Sequence, residues 1–185
     1  LLILKKTNIM AKVFIAFGHH NTKTSFNAAV RDTFIEEAKK NGHQVDLVNL
    51  FDEREKLPFY NQDTNPPPKL VIEYRKRLEK CSVMMLRGSC HNLRLNAILE
   101  KWIDWVLHPK WFFSYRSIIP GNKYFKNYGY PVAGAMKGKL GIVSITYGGP
   151  MMSYWNFSFF DNIPFRRIKK SVFQLGGLKT KYIRF

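Results

Sequence analysis

The stretch from Lys12 to Lys40 constrains the fold most, because it predicts a buried strand, a polar loop and a helix in immediate succession. The run KVFIAF is short and apolar, the loop GHHNTKTSFN follows it, and AAVRDTFIEEAKK places apolar residues at helical spacing. The first turn of such a helix presents N–H groups without partners, and its dipole favours an anion there. Lys23 adds charge, and further donors come from Thr22, Thr24, Ser25 and Asn27. The sequence therefore predicts a phosphate site, and with it a phosphorylated cofactor.

The rest of the chain continues this alternation of strands and helices. Apolar patterns and Gly/Pro breakers predict strands at 12–17, 44–51, 82–88, 139–147 and 178–185. They predict helices at 25–41, 70–80, 93–107 and 152–175, the last interrupted near Pro164, and long loops at 52–69 and 108–136. Such alternation is typical of a parallel sheet covered by helices on both faces.

These elements predict a three-layer α/β fold with a five-stranded parallel sheet in the order 2-1-3-4-5. In such sheets ligands bind beyond the carboxyl ends of the strands, which here are the loops at 18–25, 88–94 and 147–154. We expect residues 11–185 to form a single domain. The natural start is expected at Met10, with residues 1–10 a leader or an added segment.

Composition narrows the function classes. No run approaches the roughly 18 apolar residues of a membrane-spanning helix. Cys81 and Cys90 suit neither a disulfide framework nor a metal site, and we expect two reduced thiols in a cytoplasmic protein. The net charge is +17, and residues 105–185 carry 13 Lys and Arg against Asp161 alone. This charge indicates either attraction for an anionic partner or a solvated basic face, and we favour the latter because the cations are scattered.

Three segments together resemble one family. GHHNTKTSFNAAV is similar to the signature HPNPxxSFNAAL, NAILEKWIDWVLHPKWFFSY to PAILKGWIDRVLxxGFAY, and VSITYGGPMMSY to xxTTGGxxxxY. These are motifs of the NAD(P)H:quinone oxidoreductases of the flavodoxin-like fold. That group also contains modulators of drug activity and the cytosolic regulators of glutathione-gated potassium efflux. The resemblance covers most of residues 11–185.

The resemblance implies a set of flavin-binding residues. The first-loop histidine of the family falls on His19, or on His20 in a register one residue shorter. The phosphate-binding positions fall on Thr24, Ser25, Phe26 and Asn27, and the ring-loop positions on Ser89, Cys90, His91 and Asn92. The family's Thr-Thr-Gly-Gly falls on Thr146, Tyr147, Gly148 and Gly149, and its active-site tyrosine on Tyr154. The glycine pair can bring backbone N–H groups to the flavin edge, because no side chain blocks them. No metal site is predicted.

The chain departs from the family motifs around the flavin ring. The ring loop, Pro-Leu-Tyr-Trp in the family, is Ser-Cys-His-Asn here, so proline and both aromatic residues are lost. PAILK has become NAILE, and a histidine of some members is replaced by Phe160. His91 is a candidate proton donor or a surface histidine, and Tyr154 a candidate hydrogen-bond donor or an aromatic lid residue.

The function implied by the resemblance is a flavin-dependent NAD(P)H:quinone oxidoreductase. A reduced nicotinamide passes a hydride to the flavin, leaves, and is replaced by a quinone, in a two-electron ping-pong reaction. FAD is the expected cofactor with FMN second, NADH or NADPH is the co-substrate, and the protein is a homodimer. The alternative is a flavin-binding regulatory subunit of a membrane efflux transporter with little activity of its own. Nucleic acid is not an expected partner.

Overall fold

A computed structural model of the protein describes residues 10–117, 119, 121, 129–149 and 163–184. Within these ranges the strands are β1 (Lys12–Gly18), β2 (Gln44–Asn49), β3 (Val83–His91), β4 (Arg94–Leu95), β5 (Phe113–Ser117), β6 (Gly129–Ala133), β7 (Leu140–Thr146) and β8 (Lys179–Arg184). The helices are α1 (Phe26–Lys40), α2 (Lys69–Glu79), α3 (Ala97–Val106) and α4 (Ile163–Arg167), with a 3-10 turn at Arg54–Lys56 and a π-helical segment at Ile168–Phe173.

The main sheet has the strand order β2-β1-β3-β7-β8, and all of these strands are parallel. This confirms the predicted 2-1-3-4-5 order, since β4, β5 and β6 lie outside that path. The short β4 pairs antiparallel with the end of β3, while β5 and β6 form a separate ribbon. β8 is the last strand of the path, with Lys179 and Lys181 exposed along it.

Two apolar layers hold the sheet between its helices. On one face Val13 and Ile15 of β1 pack with Phe34 and Ala38 of α1. On the other face Phe14 stacks on Trp102 of α3, with ring centroids 5.9 Å apart, and that layer continues to Tyr74 of α2. Burial of these aromatic side chains is a major source of the stability of the fold.

The aromatic residues around the end of α3 are more deeply buried than the sequence predicted. The sequence crowds five aromatic residues around this helix and its exit, and it predicts Trp102 in the core and the other four on a dimer surface or over a pocket: Trp105, Trp111, Phe112 and Phe113. Trp102 is in the core, but Trp105 and Phe112 are also only 2% and 1% exposed. Trp105 satisfies its indole N–H by donating to the Pro58 carbonyl, which lets the whole ring be buried. Trp111 and Phe113 are half-buried.

Several predicted boundaries need correction. The predicted loop at 108–136 contains β5 and β6, whose backbone pairing has no short-range sequence signal. The predicted helix at 93–107 begins at Ala97, because Leu93 belongs to the hairpin turn, Arg94–Leu95 form β4 and Asn96 is the N-cap. Within the predicted helix at 152–175, residues 152–162 lie outside the described residues, and 163–173 are α- and then π-helical. None of the described helices is long and apolar enough to cross a membrane.

Candidate functional site

The carboxyl ends of β1, β3 and β7 lie side by side at one edge of the sheet. Gly18 of β1 is the register partner of Gly88 of β3, and Ser89 is the partner of Thr146 of β7. Three segments therefore start from adjacent positions: the first loop (18–25), the ring loop (88–94) and the segment after β7. Three segments far apart in the sequence are brought to one place, as the fold predicts for a ligand crevice.

The first loop is organised by Asn21, which the sequence analysis did not single out. The Asn21 Oδ1 accepts from the N–H groups of Lys23 (3.2 Å) and Thr24 (2.9 Å), and its Nδ2 donates to the Thr24 hydroxyl. The Ser25 hydroxyl donates to the Asn21 carbonyl at 2.7 Å and accepts from the Ala28 N–H at 3.0 Å, so Ser25 is the N-cap of α1. An asparagine three residues before a Thr-Ser pair is the signal that would have predicted this turn.

The start of α1 is joined to the end of β7 by a buried hydrogen bond. The Thr146 hydroxyl donates to the Asn27 side-chain oxygen at 3.0 Å, and both residues are buried. Because Ser25 caps Ala28, the N–H of Asn27 still points out of the helix start. Two predicted site residues are thus in direct contact, and Phe26 between the cap and Asn27 is 63% exposed.

Beyond β7 the chain enters the predicted Tyr147-Gly148-Gly149 segment. The Tyr147 hydroxyl is 2.6 Å from that of Tyr182 in β8, and Tyr182 stacks on Phe165 of α4. A Cβ placed on Gly148 would meet no atom of the described residues within 4 Å. Tyr154 and Phe160 lie outside the described residues.

The ring loop is a tight hairpin rather than an open loop. Cys90 pairs with Leu95 and His91 with Arg94, leaving a two-residue turn at Asn92 and Leu93, which have φ of 49° and 58°. Two left-handed residues are typical of a type I′ turn. Cys90 is buried toward the core, and burial raises the pKa of its thiol. Cys90 can therefore reach a bound ring only through its backbone.

Asn96 fastens this hairpin to the first loop. Its Oδ1 accepts from the Leu99 N–H (3.3 Å) as the N-cap of α3, and its Nδ2 donates to the Gly18 carbonyl and to the Ser89 hydroxyl (3.4 Å). The Ser89 hydroxyl in turn lies 3.1 Å from Nε2 of His91. The sequence marked Asn96 only as a departure from proline; its place before an apolar helix was the signal for a cap.

The crevice edge is electropositive. Arg87 is fully buried on β3, and its Nη1 donates to the Ser144 carbonyl (3.3 Å) and hydroxyl (3.4 Å). Burial lowers the pKa of Arg87 to about 10, which leaves it cationic at neutral pH. Burial also lowers the pKa of His19, and the charges of His20, Arg87 and His91 act in the same direction. An arginine within the apolar run VMMLR was the signal that sequence reasoning missed.

Comparison with known proteins agrees with this architecture. The family model for the flavodoxin-like fold matches residues 11–177. The chain belongs to the flavodoxin-like fold family. Mouse ribosyldihydronicotinamide dehydrogenase [quinone] is 25% identical over an alignment of 165 residues that covers 77% of this chain and 66% of the mouse protein. The chain therefore spans just under two thirds of that relative. These matches confirm the resemblance drawn from the three motifs.

Solved structures share the fold at lower identity. The NAD(P)H:quinone oxidoreductase from Methanothermobacter marburgensis superposes with a TM-score of 0.73 at 15% identity, covering 95% of this chain and 85% of that one. The FMN-dependent NADH-azoreductase from Bacillus anthracis, in complex with FMN, has a TM-score of 0.66 at 18% identity, covering 95% and 86%. At these identities the likeness concerns the fold.

The described residues fit a flat ring carrying a phosphate tail. The start of α1 offers N–H groups and the helix dipole to an anion, with Lys23 exposed beside it. Within the described part of the chain no atom blocks the space beside Gly148, where the edge of a ring could lie, and the hairpin belongs to the neighbouring strand β3. The fit is poorer in one respect: Gly88–Leu95 includes no Phe, Tyr or Trp to stack on the ring.

Proposed function

We propose that the protein is a flavin-dependent NAD(P)H:quinone oxidoreductase. The observation that carries this proposal is the meeting of three strand ends, which sets the start of α1, the hairpin and Gly148 around one crevice. A bound flavin would supply two-electron hydride transfer between NADH or NADPH and a quinone, and the proposed kinetic order is ping-pong. FAD is the first choice and FMN the second.

The chain's own residues bind and orient the reactants. The start of α1 holds the phosphate, through the Asn27 N–H and side chains of the loop fixed by Asn21. N–H groups at Gly148 and Gly149 would serve as donors to the pyrimidine edge of a bound flavin, where they would stabilise negative charge. The residues assigned to the cofactor are His19, Thr24–Asn27, Ser89–Asn92, Thr146–Gly149 and Tyr154.

His91 is the proposed proton donor to the quinone oxygen. Its imidazole is exposed at the crevice edge, and its Nε2 lies 3.1 Å from the Ser89 hydroxyl. Nδ1 is therefore the nitrogen that we propose as the donor. Tyr154 is the second proposed catalytic residue. The homodimer and the cytoplasmic location belong to the same proposal and rest on the resemblance.

A second candidate is a flavin-binding regulatory subunit docked on a transporter. The hairpin favours it, because a ring loop without aromatic side chains offers less support for rapid turnover.

One experiment tests both functions. Purified protein is reconstituted with FAD or FMN, its absorbance near 450 nm is followed on anaerobic addition of NADH or NADPH, and menadione is then added. We expect bleaching by the nicotinamide and recovery with the quinone. Flavin that binds but is not reduced at a useful rate would favour the regulatory candidate. Protein that binds neither flavin would refute both.

A further inference from the structure

The β3–β4 hairpin presents a polar, basic face to the crevice edge. Residues paired across an antiparallel ribbon direct their side chains to the same face, and so do alternate residues of one strand. His91 and Arg94 are register partners, and Ser89 is two residues before His91, so these three share one face. The opposite face carries Cys90 and Leu95, which are buried in the core.

This face is held firmly in place. Its two strands are joined by the minimal turn at Asn92 and Leu93, and its other side is anchored by the buried pair. Ser89 contacts His91 at 3.1 Å and is itself held by Asn96. Binding of a ligand group here would therefore not carry the entropic cost of ordering the backbone.

The positive charge of this face is not neutralised within the part of the chain that the structure describes. Glu100 is the acidic residue nearest in sequence, but its Oε1 accepts from the Leu95 N–H, and both oxygens accept from Arg167 at 2.7 Å. The ion pairs of the described residues do not include Arg94, whose side chain is exposed. The neighbouring side chains His19, His20 and Arg87 are basic as well. The charges of His20, Arg87 and His91 all lower the pKa of His19.

We propose that Ser89, His91 and Arg94 form an anion-binding subsite for the substrate that visits the flavin crevice. The subsite takes a sulfonate or carboxylate carried by the electron acceptor, or a phosphate of the nicotinamide dinucleotide. This inference rests on the proposed function and adds a substrate class to it, namely substrates that carry an anionic group. His91 and Asn92 occupy the two positions that are aromatic in the family motif, and Arg94 follows two residues later. The hairpin therefore offers charge-assisted hydrogen bonds where the family offers stacking.

The test compares Arg94→Gln with a control of equal charge change. Lys80→Gln is that control, because Lys80 is exposed at the end of α2, next to the amino end of β3 and thus at the opposite edge of the sheet. Flavin-loaded protein is assayed with menadione, which is neutral, and with 1,2-naphthoquinone-4-sulfonate, each with NADH and with NADPH. Assays are run at ionic strengths of about 20 and 200 mM, which change the screening of exposed charges.

We expect Arg94→Gln to lower kcat/KM for an anionic substrate by about fivefold to tenfold and for menadione by less than about twofold. A loss confined to the sulfonated quinone assigns the subsite to the acceptor, and a loss in kcat/KM for the dinucleotide assigns it to the phosphate. The loss should shrink at high ionic strength. Equal effects of Arg94→Gln and Lys80→Gln on all substrates would overturn the proposal.

Direct binding keeps this test separate from the proposed function. Calorimetric titration of the sulfonated quinone and of NADP⁺ into wild type, Arg94→Gln and Lys80→Gln needs no turnover. Weaker binding to Arg94→Gln alone supports the subsite even if menadione is never reduced, in which case only the oxidoreductase proposal fails. Unchanged binding of both ligands to Arg94→Gln refutes the subsite, whatever the activity.

Discussion

The first loop and the ring loop each connect a strand of the sheet to a helix, but different kinds of contact hold them in place. Both follow adjacent strands, which are in register at Gly18 and Gly88, and both lead into a helix whose first turn is capped by a polar side chain, Ser25 or Asn96. In the first loop the contacts that form the turn are local, running from Asn21 to Ala28, and only Asn27 at the start of α1 reaches a distant partner, Thr146. In the ring loop they reach across 78 residues, from Asn96 to Gly18. The first loop is thus specified by its own sequence, whereas the second depends on the assembled sheet.

The largest expected effect comes from Gly88→Ala, which affects both loops at once. A Cβ on Gly88 would lie 2.5 Å from Leu99 Cδ1 and 2.9 Å from the Gly18 carbonyl oxygen. The leucine can shift, but the strand carbonyl cannot move without disturbing β1. We expect a loss of about 1–3 kcal/mol in the free energy of unfolding, measured by urea denaturation. Gly148→Ala is the control, because its Cβ meets no described atom; an equal loss there would contradict the argument.

Removal of each cap measures the contrast between the loops directly. Ser25→Ala should cost about 1 kcal/mol, as for an ordinary N-cap. Asn96→Ala should cost about 1 kcal/mol more, because it also removes the donor to the buried Gly18 carbonyl. Thermal unfolding of the two variants under one set of conditions makes the comparison. Equal costs would show that the contact between the loops contributes no stability.

A gain in stability is expected at the hairpin turn. Leu93 has φ of 58°, in the left-handed region where a side chain is strained and glycine is not. Leu93→Gly should therefore raise the free energy of unfolding by about 0.5–1 kcal/mol, reduced by any loss from its half-buried side chain. Urea denaturation gives the sign, and a clear loss of stability would mean that Leu93 is held by its packing.

The smallest effect is a pH dependence in the first loop. Burial lowers the pKa of His19 below its usual 6.5, so the folded state binds this proton less readily than the unfolded chain does. The contribution of His19 to stability is complete above pH 6.5 and is lost as the pH falls through the lowered pKa. Wild type should therefore lose more stability between pH 7 and pH 5 than His19→Gln does. Parallel urea midpoints for the two proteins across this range would contradict the assignment.

The sequence predicted those elements whose signals are local. Helical spacing and the caps predicted α1 to within a residue at each end, and apolar runs predicted the five strands of the sheet in their correct order. The three loops at one sheet edge followed from the parallel topology alone. Placement of Asn27 against Thr146 agrees with the predicted site, while the roles of the site residues remain predictions.

The features that escaped prediction depend on partners distant in sequence. The β5–β6 ribbon joins segments separated by a long aromatic stretch, and neither has the strict alternation of a half-buried strand. The turn at Asn92 has leucine where type I′ turns favour glycine, so the sequence did not predict a hairpin there. Arg87 was overlooked because a cation inside a sheet becomes plausible only once Ser144 is seen beside it.

The exposed lysines of β8 limit how two copies of the chain can associate. β8 ends the described sheet, with Lys179 and Lys181 exposed along it. Edge-to-edge pairing of two such strands would crowd like charges and strip water from them, a device that natural sheets use against aggregation. Pairing of two copies of this chain along β8 is therefore disfavoured, and any association between them has to use another surface.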